Sequence, residues 1–186
     1  MRFFVTLLSL ALCTLLATLA TPAQKKKSRV ASSVRPEISV IVEPITTDGL
    51  KTLIAKGKSK PLLVNFWATW CDPCRDEFPD LVEIDNEFRP KSLDFVTISL
   101  DDITEIKTEV PKFLGKMKAR MPAYLLNAND PEPAINAIDP RWQGNLPATF
   151  LYNEKGELVF KHFGRVDATQ LRTEIQKVIK MSADGL

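Results

Sequence analysis

The chain is poor in metal-binding residues: its 186 residues include three cysteines and one histidine, His162. A tetrahedral zinc site needs about four nitrogen or sulfur ligands, so no metal site is predicted. The net charge is only +2, from 25 basic and 23 acidic residues. Because there is also no basic stripe interleaved with aromatic residues, the sequence predicts no nucleic-acid partner.

The N-terminus is the one long hydrophobic stretch. Residues 3–20 are apolar and uncharged, and small residues follow at 21–23. This order is typical of a secretory signal peptide over residues 1–23. The run is also close to the length of a membrane span. The basic residues 25–27 behind it leave an uncleaved N-terminal membrane anchor as the alternative. In both cases we expect the domain to be exported, in the periplasm or on the outer face of the cytoplasmic membrane.

Cysteine usage points to chemistry rather than to structural cross-linking. Cys13 lies in the N-terminal run, so cleavage would leave only Cys71 and Cys74, which are spaced C-x-x-C. A disulfide between them closes a very short loop and therefore stabilises a fold little. An exported chain with this pair alone is not a disulfide scaffold. The polar residues 24–36 predict a linker, so the pair belongs to a domain over residues 37–186.

Hydrophobic patterning predicts an α/β domain. Near-continuous apolar runs are typical of buried central strands, and they occur at 62–67 and 93–100. Shorter strands are predicted at 38–42, 123–126, 148–152 and 157–163. Helices are predicted to begin near Thr46 or Thr47, Pro73, Thr104, Pro131 and Asp167, with Pro111 splitting the third. Since early strands alternate with helices and the last two form a hairpin, we expect a central mixed β-sheet flanked by helices on both faces.

The C-x-x-C pair follows the first central strand and falls at the start of the next helix. Free backbone N–H groups and the positive end of the helix dipole lie there, which favours a thiolate at Cys71 and lowers its pKa. Pro73 fits the first turn because its missing N–H would have no partner. Cys74 is within side-chain reach. The spacing predicts that Cys71 attacks a disulfide of a client protein and that Cys74 resolves the mixed disulfide.

The segment Val64-Asn65-Phe66-Trp67-Ala68-Thr69-Trp70-Cys71-Asp72-Pro73-Cys74 resembles the active site of the thioredoxin superfamily, most closely its exported TlpA/ResA-like branch. The resemblance extends over roughly residues 38–182 and implies a thioredoxin-like fold with an N-terminal extension. Leu146-Pro147-Ala148-Thr149-Phe150 is similar to the family's cis-proline loop, which implies that Pro147 faces the cysteines and the backbone near Leu146 binds the client. The resemblance also implies a membrane thiol electron donor. The redox-active disulfide is expected to need no bound cofactor.

A carboxylate is expected beside the second cysteine. Thioredoxin itself has a buried acid where this chain has Asn65, whereas the branch supplies an acid from a helix motif that residues 74–79 resemble. Glu77 is three residues after Cys74 and shares its helix face, so it is predicted to take the Cys74 proton. Together with Asp72 it would raise the thiol pKa, which favours a reductant. A solvated helix glutamate is the alternative for Glu77.

The tryptophans divide between surface and core. Trp70 comes just before Cys71 at the strand exit and is the best candidate for an apolar contact with a client, while Trp67 is expected in the core. For Trp142 and Phe78 the sequence leaves two alternatives, an apolar rim on the surface and the hydrophobic core. Residues 139–144 precede the proline loop and are expected to flank the site. His162 is expected on a strand face.

The sequence therefore predicts a thiol-disulfide oxidoreductase, acting as a reductase or exchanger of disulfides in exported proteins. A copper(I)-binding chaperone is one alternative, since two thiolates suit copper(I). Copper-delivery proteins of this fold, however, have C-x-x-x-C and a histidine near the proline loop. A thiol peroxidase is the other, although peroxiredoxins have Pro-x-x-x-Thr-x-x-Cys and here Thr69 lies two residues before Cys71. A binding adaptor would not need the second cysteine.

Overall fold

The computed structural model describes residues 40–56 and 59–184. Within these residues six strands form one sheet: β1 (Val42–Ile45), β2 (Leu62–Trp67), β3 (Asp94–Ser99), β4 (Ala123–Leu126), β5 (Ala148–Tyr152) and β6 (Leu158–Phe163). The α-helices described are α1 (Thr47–Lys56), α2 (Asp72–Phe88), α3 (Glu109–Met117), α4 (Glu132–Ile138) and α5 (Ala168–Asp184). The signal peptide or anchor predicted at 1–23 and the linker at 24–36 lie outside the described residues. Over the described ranges, no helix combines the length and apolar character that crossing a membrane requires.

The sheet has the order β1-β4-β3-β2-β5-β6. The pairs β1–β4, β4–β3 and β3–β2 are parallel, whereas β2–β5 and β5–β6 are antiparallel. The predicted mixed sheet is confirmed. Strand β2 lies inside the sheet and all six of its residues are buried, as its unbroken apolar sequence predicts.

Side chains of β2 alternate between two hydrophobic cores. Leu63 and Trp67 pack with residues of α2, α3 and α5 on one face. Leu62, Val64 and Phe66 pack with residues of α1 and α4 on the other. The predicted helices on both faces are therefore confirmed, and Asn65 is the polar residue of β2 on the α2 side.

The first strand differs from its prediction. The apolar run suggested 38–42, but β1 spans Val42–Ile45, and Ile41 is largely exposed. Pairing decides the position, because among the described strands β1 bonds only to β4, in a register that sets Val42 opposite Ala123. Pro44 is accepted because β1 is an edge strand with one unpaired side.

The predicted helix from Thr104 to Lys118 is two elements, as expected, but the break is not at Pro111. A 3-10 helix spans Ile103–Lys107 and α3 begins at Glu109. Pro111 lies in the first turn of α3, where its missing N–H costs nothing. The break therefore falls at Thr108, which has the non-helical φ of −123° and ψ of −95°.

Two predicted helix starts are confirmed by their caps. The Gly49 N–H donates to Thr46 Oγ1 at 3.1 Å at the start of α1. The Gln170 N–H donates to Asp167 Oδ1 at 2.8 Å at the start of α5. Side-chain acceptors at these positions satisfy N–H groups that have no partner within the helix.

Candidate active site

The two cysteines are joined by a disulfide at the start of α2. After β2 ends, the Cys71 N–H donates to the Ala68 carbonyl oxygen at 3.2 Å and closes a turn. Cys71 is the N-cap residue of α2, and the Cys74 N–H donates to its sulfur at 3.3 Å. A sulfur at this position meets an unpaired N–H and the positive end of the helix dipole, which together stabilise a thiolate.

The two cysteines differ slightly in exposure. Cys71 is 6% exposed and Cys74 is 0% exposed. Cys74 lies on the buried face of α2 with Phe78 and Leu81. Cys71 is therefore the more accessible of the two cysteines, and its role as the attacking residue stays a prediction.

Glu77 lies on the same buried face of α2 and is only 1% exposed. The alternative of a solvated helix glutamate is therefore wrong. The Asn65 amide Nδ2 donates to Glu77 Oε1 at 2.9 Å, and the Val166 N–H donates to Oε2 at 3.1 Å. The same Asn65 amide donates to Thr149 Oγ1 at 3.2 Å. The carboxylate is thus held between β2 and the segment that precedes α5.

The environment of Glu77 tunes its acidity. Burial raises the pKa of its carboxyl from 4.5 to about 7, since desolvation disfavours the charged form. The Val166 N–H, the Asn65 amide and the charge of Arg165 oppose this rise, and Asp80 adds to it. A carboxyl group with a pKa near neutrality both accepts and returns a proton under physiological conditions, as general acid–base chemistry requires.

The loop before β5 brings its proline to the same edge of the sheet. The Leu146–Pro147 peptide bond is cis, which agrees with the loop that the resemblance implies. Ala148 pairs with Phe66 near the end of β2, and the turn to Cys71 leaves from that end. The Gly164 N–H donates to the Pro147 carbonyl oxygen at 2.8 Å. The predicted pairing of the Leu146 backbone with a client stays a prediction.

Comparison with known proteins identifies the group to which this site belongs. Residues 38–161 match the AhpC/TSA family. The chain belongs to the AhpC/TSA family. The thiol-disulfide oxidoreductase ResA of a Bacillus cereus strain is 28% identical over 131 residues, which cover 70% of this chain and 70% of that protein.

Two solved structures share the fold of this AhpC/TSA protein. A thiol:disulfide interchange protein from Bacteroides sp. has a TM-score of 0.56 at 25% identity, covering 68% of this chain and 77% of its own. A thiol:disulfide interchange protein of the thioredoxin family from Chlorobium tepidum TLS has a TM-score of 0.56 at 24% identity, covering 67% and 83%. The predicted thioredoxin-like fold is confirmed. The ResA relative and the Cys71–Cys74 disulfide confirm the prediction of a thiol-disulfide oxidoreductase as well.

Only one of the candidate aromatic residues named for a surface rim is exposed. Trp70 is 67% exposed, whereas Trp67, Trp142 and Phe78 are buried. Trp70 borders a cleft of about 670 Å³, and Leu146 lines the same cleft. Gln143 and Gly144 also line this cleft, so the end of the segment 139–144 lies near Trp70 and Leu146.

Sequence reasoning missed one residue of this AhpC/TSA site, Asp101. Its carboxylate is buried and accepts the Thr69 N–H at 3.1 and 3.0 Å and the Thr69 hydroxyl at 2.6 Å. Asp101 lies two residues after the end of β3, the parallel neighbour of β2. Carboxyl ends of neighbouring parallel strands share one edge, where sites are built. The position of Asp101 behind a strand parallel to β2 was the sequence feature that could have predicted its place in the site.

The remaining predicted residues are placed as follows. Pro73 is the second residue of α2, in the first turn. Asp72 is exposed, and the Arg75 guanidinium donates to its carboxylate at 3.4 Å. His162 is on β6, with Nε2 3.1 Å from the Arg165 carbonyl oxygen. Over the part of the chain that the structure describes, no cluster of three or more His, Cys, Asp or Glu side chains is placed to hold a metal ion.

Proposed function

We propose that this protein reduces or exchanges disulfides in other exported proteins, with Cys71 as nucleophile and Cys74 as resolving thiol. One observation carries the proposal: in the disulfide at the start of α2, Cys71 keeps 6% exposure whereas Cys74 is fully buried, and the buried Glu77 carboxyl lies on the helix face of Cys74. The disulfide is itself the redox group in this scheme, and no bound cofactor takes part.

The proposed reaction has two steps. The Cys71 thiolate attacks one sulfur of a client disulfide, forms a mixed disulfide and expels the other client sulfur as a thiolate, which takes up a proton. The Cys74 thiolate then attacks Cys71 Sγ, forms the internal disulfide and expels the first client sulfur. Two electrons pass from the protein to the client, which ends as a dithiol. The helix start that holds Cys71 supplies the thiolate for the first step.

Glu77 would act in the second step. Cys74 is fully buried, so its thiol loses a proton with difficulty unless a base is near. Glu77 lies one helical turn further along α2 and has a pKa of about 7. Its ionised carboxylate can accept the Cys74 proton and return it when the pair is reduced again.

The client would bind around Cys71. Trp70 offers an exposed apolar surface next to Cys71, and the backbone at Leu146 and Pro147 would pair with the client chain. Pro73 keeps the first turn of α2 in place beside them. Extended client segments suit such a site, because main-chain hydrogen bonds give affinity without demanding one sequence.

The N-terminal sequence supports an exported location, with the domain released by cleavage or held by an anchor. Each turnover leaves Cys71 and Cys74 oxidised, so the disulfide must be reduced again before the next one. A membrane thiol donor would supply these electrons. Fractionation of cells that produce the full chain, with N-terminal sequencing of the product, tests the location and the cleavage together.

A redox titration of the Cys71–Cys74 pair with an insulin-reduction assay tests the activity. We expect one two-electron transition and turnover that is lost in Cys71→Ser. The Cys74→Ser protein should hold its client as a mixed disulfide on Cys71. A pair that does not cycle, or full activity in Cys71→Ser, contradicts the proposal.

The same variants separate the two alternatives. Peroxide turnover that survives Cys74→Ser would support a thiol peroxidase instead. Stoichiometric copper(I) binding by the reduced protein, without turnover of insulin, would support a copper chaperone.

A further inference from the structure

We propose that Asp101 is a positioning residue for the nucleophile: through Thr69 it fixes the turn that presents Cys71 at the start of α2. The inference rests on the proposed function, in which Cys71 attacks. Asp101 is 5% exposed and follows β3, and its carboxylate receives three of its hydrogen bonds from Thr69 alone. It binds a segment of the active site without contacting the reacting sulfur in any described hydrogen bond.

The turn at residues 68–71 has little support of its own. One backbone hydrogen bond closes it, from the Cys71 N–H to the Ala68 carbonyl oxygen at 3.2 Å. Asp101 fixes Thr69 within this turn. Both carboxylate oxygens accept the Thr69 N–H, and one also accepts the Thr69 hydroxyl at 2.6 Å. Because the backbone and the side chain of Thr69 both donate to the same carboxylate, the orientation of Thr69 is fixed.

Asp101 is itself held in place. The Ser99 hydroxyl donates to Asp101 Oδ2 at 2.6 Å, and the Asp101 N–H donates to Ser99 Oγ at 3.0 Å. Nearby, the Leu100 N–H donates to the Trp67 carbonyl oxygen at 2.8 Å and joins the ends of β3 and β2. The carboxylate therefore belongs to the rigid end of the sheet, which is what a group that orients a reactive neighbour needs.

The position of the turn matters for the reactivity of Cys71. Its sulfur meets the Cys74 N–H at 3.3 Å at the start of α2. The benefit of a helix start to a thiolate is confined to the first turn. If Thr69 is released, the turn relaxes, the sulfur leaves this position more often, and the thiol becomes a weaker acid and a less available nucleophile.

The test compares Thr69→Val with Thr69→Ser in the full chain. Valine keeps the shape of threonine and removes the hydroxyl donor, while serine keeps that donor. For Thr69→Val we expect the Cys71 pKa in the reduced protein to rise by about one unit. We also expect kcat/KM for insulin reduction to fall about tenfold, with Thr69→Ser close to the parent on both. The rate of Cys71 alkylation against pH, with the modified residue located by peptide mass, measures the first quantity, and a turnover assay measures the second.

A second pair of variants separates position from charge. Asp101→Asn keeps one acceptor oxygen but places an amide donor against Thr69, so we expect the Cys71 pKa to rise here as well. Asp85→Asn is the matched control, because Asp85 is a buried aspartate that binds Arg89 at the far end of α2. It should lower the melting temperature while leaving the Cys71 pKa and turnover unchanged.

The opposite pattern overturns the inference. If Asp101 acted only as a negative charge, Asp101→Asn would lower the Cys71 pKa and Thr69→Val would leave it alone. Should Asp101→Asn fail to fold, Thr69→Val still decides. The alkylation titration needs no client, so it still tests the role of Asp101 if the parent protein does not reduce insulin. That second result would count against the proposed function alone.

Discussion

Asn65 on the central strand donates its amide hydrogen to Glu77 on α2, at 2.9 Å across the buried face of the sheet. Thioredoxin, which the active-site segment resembles, has an acid in the strand at the position of Asn65. Here the strand residue binds an acid that the helix supplies. The amide also donates to Thr149 Oγ1 on β5, so Asn65 links the Glu77 carboxyl to a second strand of the sheet.

The pH dependence of turnover should report Glu77. Its pKa of about 7 means that the base form becomes dominant above neutrality, so resolution by Cys74 should accelerate as the pH rises through 7. Glu77→Gln should flatten this rise and lower kcat at pH 8 by about tenfold or more. Glu83→Gln, an exposed change on the same helix, is the control. A retained step near pH 7 in Glu77→Gln would assign that step to another group.

The stability of the oxidised protein should fall as the pH rises from 4.5 to about 7. In this window the folded protein keeps the Glu77 proton, since its pKa is about 7, whereas the unfolded chain has released it with the usual value of 4.5. The folded state binds more protons, so raising the pH favours unfolding, by roughly 3 kcal/mol over the window.

Urea denaturation at pH 4.5 and 7.5 measures this change in the free energy of unfolding. Glu77→Gln should lose most of it, because glutamine does not titrate. An equal pH dependence in the parent and in Glu77→Gln would show that Glu77 has an ordinary pKa in the folded protein.

Asn65→Asp should create a pair of carboxyl groups that cannot both ionise. The new acid would lie against Glu77 Oε1, where the amide donor now stands at 2.9 Å, and like charges at that distance raise one pKa strongly. We expect a loss of about 2–4 kcal/mol at pH 8 and a much smaller loss at pH 4. Denaturation curves at both pH values give the difference, and equal losses would contradict the proposed contact.

Trp70→Ala should separate client binding from folding. Because Trp70 is largely exposed, its removal should change the free energy of unfolding by only about 0.5 kcal/mol, while KM for insulin reduction should rise several-fold. Trp67→Ala is the contrast, since Trp67 packs in the core against Phe78 and Phe113, and it should cost about 3–5 kcal/mol. An unchanged KM in Trp70→Ala would remove Trp70 from the client surface.

Two glycines in the left-handed region give a matched comparison beside the site. Gly144 has φ of +79° and Gly164 has φ of +88°. A Cβ at Gly144 would meet Ile135 Cδ1 at 2.8 Å, whereas at Gly164 it meets no atom within 4 Å. Both alanine variants carry backbone strain of about 1–2 kcal/mol. Gly144→Ala should cost more, because Ile135 must also shift, and melting curves of the two variants measure the difference.

The features that are local in the chain could be predicted from the amino-acid sequence. The apolar run of β2, the spacing of Cys71 and Cys74, the proline before β5 and the helical periodicity of α2 were all readable, since each depends on residues close together. Periodicity also placed Glu77 on the face of Cys74. The hydrophobic pattern predicted the position of β1 less well, because pairing with β4 fixes that position rather than the hydrophobicity of β1 itself.

Which polar groups form hydrogen bonds with each other depends on the folded chain and could not be predicted from the sequence. Asn65 and Glu77 are 12 residues apart, Thr69 and Asp101 are 32 apart, and Val166 and Glu77 are 89 apart. No local pattern encodes such pairs, because they form where different strands and helices reach the same end of the sheet. The sequence therefore specified a redox pair, while the fold decided how acidic its neighbouring carboxyl is and which carboxylate holds the turn before Cys71.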